Sequence, residues 1–161
     1  MQLFASRPTV SDAPVLELDR FLPYRLSVLS NTISQAIARE YADRFELSVT
    51  EWRVIAVLGR YPDLSAGEVA ERTAMDKVAV SRAVNSLVDA GRVRREVHGG
   101  DRRRSVLALT PKGRKVYEQV APRALAYERR LIGLLDTEER HWLDRILGKL
   151  GSAPVRAVLS P

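Results

Sequence analysis

The chain contains no cysteine among its 161 residues. That excludes disulfide staples, thiolate metal ligands and thiol redox sensing. It has only two histidines, His98 and His141, far apart and in no metal-ligand spacing, so no metal site is expected. No run approaches the roughly 20 apolar residues needed to cross a bilayer. The N-terminal stretch lacks the basic flank and apolar run of a secretory signal. A cytoplasmic protein without membrane contact is the expectation. Catalysis is not expected either, because no phosphate-cradling glycine loop, metal cluster or nucleophile–base motif is present. The single glycine pair, Gly99-Gly100, reads as a hairpin bend, and no cofactor is implied.

What is abundant is positive charge in one place. Nine of the 26 Lys and Arg residues fall between Gly91 and Lys115, against only Glu96 and Asp101. This segment carries +7 while the whole chain carries +6, so the remainder is close to neutral. A near-neutral body with one cationic patch is the electrostatic footprint of a polyanion binder.

Read in order, residues 1–17 show no sustained period and contain Pro8 and Pro14, as an extended arm would. Residues 18–161 read as one domain. A long helix is expected from about Glu17 to Arg44, with Leu22, Leu26, Leu29, Ile33, Ile37 and Tyr41 recurring at three- and four-residue steps. Pro23 falls in its first turns, where proline is tolerated. Ser27, Ser30, Asn31 and Ser34 form a small polar strip beside that stripe.

A second helix is expected from Ser48 or Thr50 to Tyr61-Pro62, with Trp52, Ile55, Ala56 and Leu58 or Gly59 inward. Ser65 with Glu68 has capping-box spacing for a short third helix, Ala66 to Thr73. Ala74-Met75-Asp76 is then a tight turn into a fourth helix near Lys77, with Asp76 either a plain N-cap or an N-cap that also holds a nearby arginine at the DNA-binding face. Val69, Ala70, Val80 and Ala83 face inward across the turn, the residue pattern of a helix-turn-helix.

On the fourth helix Val80, Val84 and Leu87 make a buried stripe. At 100° per residue Val78, Arg82, Asn85 and Asp89 point the other way, with Lys77 and Ser81 on the flanks. Arg82 suits guanine and Asn85 suits adenine through bidentate hydrogen bonds. Lys77 and Ser81 suit phosphate or base-edge contacts. Gly91 ends the helix. Val93–Val97 and Ser105–Leu109 then flank a cationic tip, His98 to Arg104, in which Asp101 is the single acid and is expected to pair with Arg103 or a neighbouring arginine.

Thr110 caps, and Pro111 opens, a long helix carrying Val116, Val120, Ala124, Tyr127, Leu131 and Leu134. Asp136 and Glu139 cap a last one with Leu143, Ile146, Leu147 and Leu150 on one face. These amphipathic helices exceed what one small DNA-reading unit needs, and their simplest use is a dimer interface. The fold class is therefore mainly α with a small β-hairpin. The DNA-binding lobe spans about 48–110 and the dimerisation helices about 18–44 and 111–150.

Together, Asp76-Lys77, Val80-Ser81-Arg82, Leu87 through Gly91, Asp101-Arg102-Arg103 and Leu109-Thr110-Pro111-Lys112-Gly113 resemble the MarR family of bacterial winged helix-turn-helix regulators. The resemblance covers nearly all of the chain after the arm. It implies a homodimer on double-stranded DNA, recognition helices in successive major grooves and a wing arginine in the minor groove. Arg103 matches the second arginine of the wing motif, with Arg102 before it and Asp101 as its supporting acid.

Phe21 through Ser27, with Glu51-Trp52-Arg53-Val54, is similar to a branch governing breakdown of aromatic acids, including regulators that respond to hydroxycinnamoyl-CoA thioesters. Effectors of the family bind beside the long first helix. In this chain that implies Tyr24, Ser27, Ser30, Asn31, Trp52 and Arg53 around an aromatic acid or aromatic acyl-CoA. The expectation is a ligand-responsive regulator, commonly a repressor in this family. The alternative is a non-specific architectural nucleic-acid binder without an effector.

Overall fold

The computed structural model describes residues 15–97, 105–152 and 157. Its helices and strands run α1 (Leu22–Ala38), α2 (Ala42–Phe45), α3 (Val49–Arg60), α4 (Ala66–Thr73), α5 (Lys77–Asp89), β1 (Val93–Val97), β2 (Ser105–Leu109), α6 (Pro111–Ile132) and α7 (Thr137–Leu150). The chain divides into two compact units, Met1–Ser34 and Gln35–Pro161. The described part of the first holds most of α1. There Leu22, Tyr24, Leu26, Val28 and Leu29 are all exposed.

The long first helix expected to reach Arg44 ends instead at Ala38. The amides of Glu40 and Tyr41 bond back three residues, to the carbonyls of Ile37 and Ala38, which tightens and closes the helix. Tyr41 is then drawn into the core at 1% exposure, and α2 is a single turn that ends at Glu46 in the left-handed region (φ 50°). The spacing from Ile37 to Tyr41 is helical, but burial of the Tyr41 ring decides the path. Arg44 donates to Gln119 Oε1 (3.1 Å), and so ties α2 to α6.

The core of the second unit gathers Tyr41 and Leu47 from before α3, then Val54, Ile55 and Leu58 of α3, Val69 and Ala70 of α4, Val80, Ala83, Val84 and Leu87 of α5, Val93 of β1, Leu107 and Leu109 of β2, and Val116 and Val120 of α6. Val54 belongs to this set although the sequence pattern placed Trp52 and Ala56 there instead; both are half-buried. Close approach of α3 and α6 rests on Gly59, where an added Cβ would overlap the Tyr117 ring. The α6 helix runs on through Pro122 and stops at Ile132, short of Leu134, with Gly133 as its cap.

The hairpin pairs Val93 with Leu109 and Val97 with Ser105, antiparallel. A third short piece joins it. Leu64 bridges Leu107, with Leu107 N donating to Leu64 O (2.8 Å) and Asp63 N to Leu107 O (3.1 Å). A single bridging residue leaves no alternation in the sequence to read. This contact fixes the middle of β2 to the loop that enters α4.

Among the described residues two buried side-chain atoms lack a hydrogen-bond partner, the Tyr41 hydroxyl and Arg92 Nε. The Tyr41 hydroxyl has no hydrogen-bond partner, and burial pushes its phenol up to about 12, against an opposing effect of the Arg53 charge. An unpaired buried hydroxyl costs about 1–3 kcal/mol. Tyr41→Phe is therefore expected to raise stability by about 1 kcal/mol while leaving the ring packing intact. Thermal or urea unfolding of the two proteins measures it; a loss of stability would show that the hydroxyl has a partner.

Candidate nucleic-acid interface

The helix pair α4 and α5 is built by its caps. Ser65 accepts from the Glu68 amide (3.2 Å) while Glu68 accepts from the Ser65 amide (2.7 Å), a reciprocal capping box. Thr73 Oγ1 donates back to Val69 O (2.7 Å), and Ala74 adopts φ 50° to turn the chain. A non-glycine residue there costs about 1 kcal/mol, set against the packing of the two helices. Asp76 Oδ1 then accepts from the amides of Val78 and Ala79 (both 2.9 Å), so it caps α5.

Val80, Ala83, Val84 and Leu87 bury one face of α5, while Lys77, Val78, Ser81, Arg82, Asn85 and Asp89 are exposed. Lys77, Ser81, Arg82 and Asn85 thus lie together on one open helix surface, with Asp76 at its start. The exposed set offers donors on a rigid rod whose inner face is locked in the core.

Several basic residues of the cationic segment have structural partners. Arg92 donates to Phe45 O (2.6 Å), with its Nε buried and unpartnered. Lys112 Nζ donates to Ala90 O (2.8 Å) at the C-terminal end of α5, and Arg114 to Gly59 O (3.0 Å). Arg94 pairs with Glu96. Charge counting along the sequence assigned all of these to a polyanion; the fold commits their donors to carbonyls and a carboxylate. Their positive charge still contributes to the surrounding field. Asp101, Arg102 and Arg103, expected at the hairpin tip, lie outside the described residues.

A residue named in the sequence only within Glu51-Trp52-Arg53-Val54 also braces α5. Glu51 of α3 accepts from Ser48 N and Ser48 Oγ (both 2.8 Å) through one oxygen and from Ser86 Oγ of α5 (2.6 Å) through the other. The capping-box spacing Ser48–Glu51 was legible; the reach to Ser86, 35 residues on, was not. Burial favours the neutral acid, but the hydrogen bonds from Ser86 and Ser48 and the Arg92 charge outweigh it and hold the carboxyl below the usual range.

A carboxylate depressed in the folded state contributes stability above its unfolded pKa and loses it as pH falls through the folded value. The stability gap between the wild-type protein and Glu51→Gln is thus expected to be full at neutral pH and to narrow below the ordinary carboxylate range. Urea unfolding at pH 7 and at acid pH measures it. A gap independent of pH would contradict the brace.

The residues expected around an effector are on α1 and α3. Tyr24, Ser27, Ser30 and Asn31 are exposed positions of α1. Trp52 and Arg53 are half-buried on α3. The Trp52 ring packs between Tyr41 (centroids 5.6 Å apart) and Tyr117 (6.3 Å), so it carries part of the core boundary.

Comparison with known proteins agrees with this geometry. The sequence profile of the MarR family matches residues 45–104, from the end of α2 to the residue before β2. The HTH-type transcriptional regulator BilQ of Clostridium symbiosum is 30% identical over 97 residues, 60% of this chain and 67% of its own length. A MarR/EmrR family regulator from Acinetobacter sp. ADP1 superposes with a TM-score of 0.76 at 29% identity, covering 84% of this chain and 95% of that one. FabT of Streptococcus pneumoniae, solved in complex with DNA, superposes at 0.66 with 26% identity over 82% of this chain and 93% of its own. Among the described residues no helix is long and apolar enough to cross a membrane. A capped helix-turn-helix with an exposed polar helix, a two-stranded wing and these relatives lead to one conclusion: the chain belongs to the MarR family and is a DNA-binding transcriptional regulator.

Proposed function

We propose that this protein is a homodimeric repressor that binds a pseudo-palindromic operator and is released by a small aromatic acid or its CoA thioester. The observation that carries the DNA half of this reading is the exposed face of α5, where Lys77, Ser81, Arg82 and Asn85 stand over a fully buried Val80–Val84–Leu87 stripe. Arg82 and Asn85 have the donor geometry for base edges, and Lys77 and Ser81 suit phosphate. Arg103 of the wing would add a minor-groove anchor supported by Asp101, with Arg102 beside it. The relative solved on DNA, FabT, supports the same use of the fold.

The dimer reading rests on surfaces that a single chain leaves uncovered. No residue of α7 is buried, and Trp142, Ile146, Leu147 and Leu150 are exposed along it; α1 likewise buries none of its residues. Apolar helix faces of this extent are covered in stable proteins by a partner. A second copy is the symmetric solution, and it sets two reading heads about 34–36 Å apart, one turn of DNA. The effector reading rests on the sequence resemblance of Phe21–Ser27 and Glu51–Val54 to the aromatic-acid branch. Tyr24, Ser27, Ser30, Asn31, Trp52 and Arg53 would contact it. An effector that favours wrongly spaced heads lowers operator affinity by linkage.

Selection of binding sites from random duplexes, followed by release assays with aromatic acids and their CoA thioesters, tests the proposal. It predicts a two-half-site consensus bound by a dimer in sedimentation and weakened by at least one such compound. Equal binding to every duplex would instead favour an architectural role. Release by no aromatic compound would remove the effector assignment alone.

A further inference from the structure

The Asn85 amide is not free on the surface of α5. Arg95, in the middle of β1, donates from Nη2 to Asn85 Oδ1 at 2.6 Å. A guanidinium has only donors, so whichever amide atom faces it must be the oxygen. The Asn85 NH2 group is thereby turned to the other side. Both residues are exposed, and Arg95 pairs in the hairpin register with Leu107, the β2 residue that the Leu64 bridge holds from its other side. The wing strand is thus wired to the reading helix through one side-chain pair.

We infer that Arg95 is a specificity-determining positioning residue: it fixes the Asn85 amide so that its NH2, not its carbonyl, is offered to the major groove. This rests on the reading that α5 contacts bases. Bidentate reading of adenine needs both amide atoms in the plane of the base, Oδ1 on N6–H and Nδ2 on N7. With Oδ1 held by Arg95, Asn85 acts as a donor and selects an acceptor that adenine lacks: O6 of guanine or O4 of thymine, where adenine presents its N6–H2 donor instead. Arg95 keeps further N–H groups, which are available to a phosphate at the same place. Its two contributions, aiming Asn85 and neutralising phosphate, separate by experiment because only the first depends on sequence.

The test is a binding panel in which each position of a selected duplex is changed in turn. It compares the wild-type protein, Asn85→Ala, Arg95→Met, Arg95→Lys and the double variant. Asn85→Ala should flatten the preference at one position per half-site, where the wild type favours guanine or thymine over adenine. Arg95→Met should reduce that same preference about fivefold or more, the low end of a good base contact. Arg95→Lys, which keeps a donor and the charge, should restore part of it. The double variant should be no flatter at that position than Asn85→Ala.

If Arg95→Met lowers affinity equally for all duplexes and the position read by Asn85 keeps its preference, Arg95 is a phosphate contact and the inference fails while α5 remains the reader. If Asn85→Ala changes no position, the assignment of Asn85 as a reader fails, and the role of Arg95 with it. A wild-type preference for adenine at that position would overturn the inference, because adenine needs the Asn85 Oδ1 that Arg95 is inferred to hold.

Discussion

The Gly113→Ala variant is expected to lose about 3 kcal/mol or more of folding free energy, the upper range for overpacking. Gly113 is the third residue of α6 and is buried. A Cβ there would overlap the carbonyl oxygen of Arg92 and lie 2.9 Å from its carbonyl carbon. Neither atom belongs to a side chain that can swing away. The same carbonyl accepts from Thr110 N (3.0 Å), and Thr110 both donates to Gly91 O (2.7 Å) and caps the Gly113 amide (3.1 Å). Moving α6 away to make room would therefore break the junction that ties the end of α5, the start of β1 and the start of α6. Domains of this size have about 5–15 kcal/mol in all, so the loss should be plain in the urea midpoint. A change of less than 0.5 kcal/mol, roughly that of an ordinary surface substitution, would show that the junction yields cheaply.

The second large effect concerns recognition. Arg82→Ala is expected to lower affinity for a selected operator about 10- to 100-fold while changing affinity for unrelated duplex little. Arg82 is exposed on α5, across the helix from buried Val80 and Val84, so its removal is expected to change stability by no more than about 0.5 kcal/mol. Removing it takes away a potential two-point contact to a guanine edge and one charge. Arg103→Ala should behave differently, weakening operator and scrambled duplex to a similar extent through loss of the minor-groove anchor and flattening the salt dependence by about one unit of slope, as loss of one DNA-bound cation does. Fluorescence anisotropy with operator and scrambled duplex at two salt concentrations separates the two. Equal losses on both duplexes for Arg82→Ala would remove it from base reading.

The local chemistry of the fold was legible because caps are local. Ser48, Ser65, Asp76, Thr110 and Asp136 each accept from an amide two or three residues on, and their side chains announce it. The 3.6-residue stripe of α5 was legible for the same reason: one helix buries one face. What escaped was long-range. The break after Ala38 is set by where the Tyr41 ring is buried, and the third piece of the sheet is one residue, Leu64.

The basic segment shows the limit most clearly. The charge of Arg92, Lys112 and Arg114 is plain in the sequence, but not the carbonyls of Phe45, Ala90 and Gly59 that accept their hydrogen bonds. Likewise Arg82 and Asn85 were identifiable by their place on one helix. The brace from Glu51 to Ser86 and the link from Arg95 to Asn85 needed the three-dimensional approach of separate elements.

The central claim, that the exposed face of α5 reads sequence in the major groove and does so in pairs, is tested most directly by methylation interference on a selected duplex. Guanine N7 lies on the major-groove edge, so a methyl there blocks a helix seated in that groove. The account predicts two clusters of interfering guanines about one helical turn apart, one for each copy of α5. Undiminished binding to a duplex methylated at every guanine within the footprint would contradict it.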